Sequence, residues 1–269
     1  MSAARENTPL VELIVELKWL SPSAPAMQAQ NTPILISSPQ PSKVDEFFMQ
    51  FGARIHSHGY TEVERLGVSG FPLMLHQPVF RFRRKQDTND GSLFQIGPGL
   101  FTANAVPPYE SWEKFNPIVI QGVSAVIESR PQEEKEQEFI GASLRYIDAF
   151  MPRHTGGRDL IPFLEEVLGI KIAIPNAISK HIPSGLRPTP MLQLQVPVEG
   201  GFMMNLMVGE GMTPDGPAIM MDTSVSSVAA IPAQTSSVMG ALNLAHNLIR
   251  ETFSDLIKPV DHLMPIKKG

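Results

Sequence analysis

The chain has 269 residues, 42% of them hydrophobic and 18% charged, with a formal net charge of −5. That composition suits a globular chain large enough for one big domain or two halves around a shared core, and the acidic balance argues against a surface wholly devoted to nucleic acid. There is no cysteine, which excludes disulfides, thiolate nucleophiles, iron–sulfur clusters and Cys-type zinc sites.

The first nine residues carry no apolar signal-peptide core. No apolar run approaches the ~20 residues a membrane helix needs. A cytoplasmic protein with no membrane contact is expected, and a cysteine-free chain fits that compartment.

Leu10 to Trp19 alternates for ten residues, with Val11, Leu13, Val15, Leu17 and Trp19 on one face. Period two with β-branched residues predicts a strand, and Leu10 and Ile14 on the other face make it an interior one. The segment 20–41 is broken by Pro22, Pro25, Pro33, Pro39 and Pro41 and reads as a long loop, with Ile34-Leu35-Ile36 able to dock as a short strand. Ser42 and Asp45 resemble a capping box for a helix whose stripe is Val44, Phe47, Phe48, Phe51 and Ile55, stopped at Gly59. An extended piece follows at 60–66.

Three strands come next, at 79–86, 92–97 and 100–106, the first two joined by a turn at Asp87 to Gly91. Ser111 opens a helix with Trp112, Phe115, Val119, Val123 and Val126 as its stripe, and Pro117 should kink it. Residues 131–138 are charged and read as a solvated linker. Ala142 to Phe150 is a strand with Leu144, Tyr146 and Phe150 on one face and Arg145 and Ile147 on the other. A short helix runs from an Asp159 cap to Gly169, and 175–190 is a second proline-punctuated loop.

Strands at 191–198, 201–209 and 217–225 follow, the first two joined by a hairpin turn at Glu199-Gly200-Gly201. The last helix, capped by Thr235 or Ser236, buries Val238, Leu242, Ala245, Ile249, Phe253 and Leu256. Asn243, His246, Asn247, Arg250 and Glu251 face away from that stripe, and Pro259 stops the helix.

The order strand, helix, three strands, helix thus occurs twice, offset by roughly 130 residues. The fold class is α+β: a duplicated β-α-β-β-β-α unit with antiparallel curved sheets and helices on one face, a saddle or helix-grip-like arrangement. The halves are 1–135 and 136–269 and form one compact pseudo-symmetric unit. A pseudo-twofold would set the first strands of the two halves side by side, where Arg145 could meet Glu12 or Glu16.

Four stretches, Pro9-Leu10-Val11-Glu12, Phe94-Gln95-Ile96-Gly97-Pro98, Tyr109-x-x-Trp112-x-x-Phe115 and Leu144-Arg145-Tyr146-Ile147, resemble in this order a sporadically distributed family of uncharacterised prokaryotic proteins. The resemblance covers most of the chain, least well the 20–41 loop and the Met-rich second half. It brings no activity, cofactor or catalytic residue. The family's patchy distribution looks like that of mobile or defence-associated genes.

The candidate site residues are of four kinds. Arg81, Arg83 and Lys85 form a basic stripe that would suit a phosphate backbone or simply face solvent; Phe80 and Phe82 point the other way. Arg145 within a half-apolar strand needs an acidic partner or an anionic ligand. Tyr109 and Trp112 cap the core or line a ligand. Met203 and Met207 share a face in the stretch that holds half of the 14 methionines, and thioether side chains suit either packing or an adaptable contact surface.

The seven histidines are scattered and suggest no metal site. No P-loop, nucleophile elbow or dinucleotide fingerprint occurs, so no cofactor is expected. Asp148 and Asp222 are acids without an evident partner. An enzyme is therefore the least favoured reading. The sequence favours a non-enzymatic protein-binding, assembly or regulatory component, in a bacterial defence or toxin–antitoxin setting, whose partner is another protein or a second copy of itself. The alternatives are a binder of an apolar or anionic small molecule, and a nucleic-acid binder using Arg81, Arg83 and Lys85.

Overall fold

A computed structural model describes residues 7–21, 43–66, 73–85, 91–107, 109 and 111–265. The strand expected at Ile34-Leu35-Ile36, most of the proline-rich loop, the Ser42 cap and the 87–91 turn up to Gly91 lie outside the described residues.

The strands are β1 (Leu10–Lys18), β2 (Glu62–Arg65), β3 (Phe80–Arg83), β4 (Ser92–Gly97), β5 (Leu100–Ala105), β6 (Gly141–Phe150), β7 (Leu192–Val198), β8 (Phe202–Thr213) and β9 (Gly216–Ser227). The helices are α1 (Lys43–His56), α2 (Trp112–Ser129), α3 (Pro152–Thr155), α4 (Leu160–Pro162), α5 (Asn176–Ser179) and α6 (Thr235–Leu256). The nine described strands join one antiparallel sheet in the order β2-β3-β4-β5-β1-β6-β9-β8-β7. Read outward from the middle, β1 is followed by β5, β4 and β3, and β6 by β9, β8 and β7. The duplicated order read from the sequence is therefore the order of the sheet, and β1 neighbours β6 as that order required. The four-residue β2 is the one strand without a counterpart.

Contacts divide the chain into two compact units. One comprises residues 14–144 and 226–244, the other 1–13, 145–225 and 245–269, so the division passes through β1, β6, β9 and α6.

The first unit is held by aromatic rings. Period 3.6 puts Phe47, Phe48, Phe51 and Ile55 on one face of α1, and all four are buried. Phe51 meets the rings of Phe82, Phe94 and Phe101 at centroid distances of 5.4, 6.1 and 5.9 Å, edge-to-face geometries favoured by ring quadrupoles. α2 begins where Ser111 accepts a hydrogen bond from the Lys114 N–H, and it runs unbroken through Pro117. Gly122 brings α2 close to the sheet: a Cβ there would lie 2.6 Å from Phe94 and 2.7 Å from Phe101.

The segment 131–138, expected to be solvated, contributes one buried charge. Glu134 is 1% exposed; its carboxylate accepts hydrogen bonds from Trp19 Nε1 and from Ser21 Oγ, both at 2.7 Å. Beside it the Arg130 guanidinium, also 1% exposed, lies 5.1 Å from the Trp19 ring centroid and 5.0 Å from that of Phe139. Burial lowers the Arg130 pKa to about 10, with Glu134 acting in the opposite direction. One carboxylate thus fixes the indole at the end of β1 and balances a desolvated cation. The sequence hides this because Glu134 is one acid among several in a charged run.

The second unit has a smaller core. Phe150 of β6 meets Phe163 at 5.1 Å and stacks on Phe253 of α6 at 6.3 Å. Leu206 and Val208 of β8 and Met221 of β9 join them, with Val260 of the turn after α6. Val11, expected on the face of Leu13, instead packs with Ala149, Met151, Ala218 and Met220 in a separate cluster. Leu10 and Leu13 are both buried while Val11 and Glu12 between them are only partly so, so the period of two slips by one residue there.

Replacing Glu134 with alanine removes the acceptor for Trp19 and strands a buried cation, so Glu134→Ala should destabilise folding by about 3 kcal/mol in denaturant titration. Glu134→Gln, which keeps an acceptor, should cost less.

Candidate functional site

Only some of the sequence-derived candidates stay available for a ligand. Arg81 donates to Glu64 of β2 at 3.1 Å, and Arg83 lies 4.0 Å from the same carboxylate. The register that sets Glu64 opposite Arg81 and Glu62 opposite Arg83 places acid against base, so most of the stripe is neutralised within its own sheet. Arg84 lies over the Tyr60 ring at 4.8 Å, while Lys85 is exposed. Trp112 is 6% exposed and its Nε1 donates to Asn243 Oδ1 of α6 at 2.9 Å; Tyr109 sits edge-on to Phe115 at 6.4 Å. This places both aromatics at the start of α2 against protein. Glu16 pairs with Lys18 at 2.6 Å, and Glu12 is half-buried.

The other candidates gather in the second unit. Arg145 is exposed rather than buried: the alternation of β6 turns it away from Leu144 and Tyr146, and its side chain keeps 45% of its surface. Its Nε donates to both carboxylate oxygens of Asp222 on β9, at 2.8 and 3.0 Å, and Nη2 adds a further bond. The sequence offered Glu12 and Glu16 for this role and treated Asp222 as unpaired. The adjacency of β6 and β9, a contact between residues 77 apart in the chain, supplies the partner.

Asp148 lies on the opposite face of β6, in phase with Leu144, Tyr146 and Phe150, and is 3% exposed. Burial, and then the charge of Asp222, push its carboxyl pKa up from 3.8 to about 8. On the same face the Tyr146 hydroxyl and His246 Nδ1 of α6 are 2.8 Å apart. His246, expected to face away from the apolar stripe of α6, is 8% exposed. The raised pKa of this buried carboxyl makes the fold's stability depend on pH.

Around residue 160 a depression of about 140 Å³ is lined by Asp159, Leu160, Ile161, Pro162, Arg187 and Glu210. Arg187 bridges Asp159 at 2.5 Å and Glu210 at 3.1 Å. It is well below the roughly 300 Å³ at which ligand pockets usually begin.

The hairpin of β7 and β8 is different. Leu194 and Val196 pair with Leu206 and Met204, which are buried, yet they themselves are 38% and 47% exposed. On the other face Gln193 and Pro197 pair with Met207 and Met203; Met207 is 37% exposed and Met203 half-buried. Met191 and Met212, just beyond β7 and near the end of β8, are each 76% exposed. β7 ends the sheet, and among the described residues its only strand neighbour is β8. Sequence analysis found Met203 and Met207 but missed Leu194 and Val196, because strict apolar alternation reads the same for a covered face and an uncovered one.

No family model and no curated protein matches the chain. A solved structure, DynU16 from the dynemicin biosynthetic locus, aligns with 95% of this chain and 97% of its own at 13% identity and a TM-score of 0.21. So slight a likeness leaves fold and function to rest on the residues described above. No described helix is long and apolar enough to cross a membrane.

Asp148 predicts a pH dependence of defined sign. Its folded pKa of about 8 lies above the ordinary 3.8, so the folded state holds the proton more tightly. The associated stability is complete below the ordinary value and is lost as the pH rises toward the folded one. Asp148→Asn, neutral throughout, should show a flatter melting-temperature profile across that interval and melt higher than the wild type at alkaline pH. Parallel profiles for the two proteins would contradict the assignment.

Proposed function

We propose that this protein is a non-enzymatic binding component that holds another polypeptide along the β7–β8 hairpin. The observation that carries the reading is the exposure of apolar side chains on both faces of the hairpin at the sheet's edge: Leu194 and Val196 of β7 on one face, Met207 of β8 on the other. Thioethers adapt to the shape of a partner. Exposed apolar surface beside a free strand edge is the usual make-up of a polypeptide-binding site. Arg145 and Asp222 supply a paired charge on a neighbouring pair of strands in the same unit. The family resemblance of the sequence adds a setting, an assembly or regulatory role in a bacterial defence or toxin–antitoxin system.

Two other readings draw less support. A nucleic-acid interface on Arg81 and Arg83 has to compete with Glu64, which already engages both. For a small-molecule site, the depression at Arg187, described above, is smaller than ligand pockets usually are.

The test is capture by the tagged full-length chain, followed by reconstitution with the purified partner. Binding that survives Val63→Lys on β2 but falls at least tenfold in Leu194→Lys or Val196→Lys is the expected result. Equal binding by all four proteins would overturn the reading.

A further inference from the structure

We infer that the occupant of the β7 edge is a second copy of this chain, added antiparallel about a twofold axis through Gln195. This rests on the reading of β7–β8 as a polypeptide-binding surface and names its partner.

The two edges of the sheet differ in kind. β2 is four residues long, and three of them, Glu62, Glu64 and Arg65, are charged. Short, charged edge strands are how proteins discourage strand addition. β7 is seven residues long, and no charged residue occurs from Met191 to Val198. Residues 193–197 are all exposed. Pro197 has no N–H to donate and is itself a feature that blunts an edge, so pairing here would rest on the other residues of β7.

The sequence of β7, LQLQVPV, is complementary to its own reverse. Centred on Gln195, antiparallel pairing sets Leu194 against the partner subunit's Val196 and Leu192 against the partner subunit's Val198. These are the apolar pairs that stabilise a ladder. Gln195 meets its own copy, and Gln193 meets the partner subunit's Pro197. Two identical chains necessarily bring identical charges to their shared axis, so a self-pairing strand has to be neutral. The first charged residue after β7, Glu199, falls opposite the partner subunit's Met191, so no like charges meet. Leu194 and Val196, exposed among the described residues, would each gain an apolar cross-strand neighbour from the pairing.

Sedimentation of the full-length chain from about 1 µM to about 100 µM should show a dimer whose dissociation constant rises at least tenfold in Val196→Lys and stays unchanged in Val63→Lys. Circular dichroism should show all three equally folded. Because the chain has no cysteine, Gln195→Cys gives a clean geometric reading: mild oxidation should link two copies, while Gln193→Cys, displaced from its own copy by four residues, should stay unlinked. A wild type that is monomeric throughout, a dimer indifferent to Val196→Lys, or equal cross-linking of the two cysteine variants would overturn the inference. A monomer that still binds a different protein in a Val196-dependent way would overturn the second copy alone and leave the wider reading standing.

Discussion

Backbone hydrogen bonding is the constraint on which the rest of the structure depends. An interior strand satisfies its N–H and C=O groups on both sides; among the described residues the two outermost strands have a strand neighbour on one side only. In this sheet the two solutions diverge. β2 stops after four residues and presents charges, one of which also neutralises Arg81. β7 continues for seven uncharged residues with its apolar side chains half out of the protein. The functional account follows from that asymmetry. Among the described residues the β7 edge is apolar and without a second strand neighbour, and apolar surface of this kind is what motivates the proposal of a polypeptide partner.

Both units also bury charge or acid, with opposite consequences. Around Trp19, Glu134 and Arg130 compensate one another, and the guanidinium lies against the rings of Trp19 and Phe139. In the second unit burial, and then the charge of Asp222, raises the Asp148 carboxyl pKa to about 8, so it holds its proton instead. The first arrangement pins the end of β1. The second makes stability sensitive to pH.

The strand and helix order was legible because each element carries its own period. β4 alternates from Ser92 to Ile96 and β1 from Leu13 onward, α1 and α2 show unbroken apolar stripes, and the repeated order then suggested that β1 lies beside β6. What the sequence concealed was set by contacts between residues distant in the chain. Arg145 could be seen to need an acid, but Asp222 became its partner only through the adjacency of β6 and β9. Glu134 was indistinguishable from its charged neighbours. Asp148 was readable in principle: it falls in phase between Tyr146 and Phe150, so the alternation that buries them buries it. Val11 misled because a one-residue slip in β1 moves it to the other face. The β7 edge was invisible for a different reason. Alternation reports which side chains share a face and carries no information about whether a helix covers that face.

Amide hydrogen exchange read along β7 is the most direct test of the central claim. If a second strand pairs with this edge, exchange of the outward amides in 192–198 should slow as protein concentration rises, while the 62–65 amides of β2 exchange at the same rate throughout. Exchange of the β7 amides that is independent of concentration, or concentration-dependent protection appearing at β2 instead, would contradict the account.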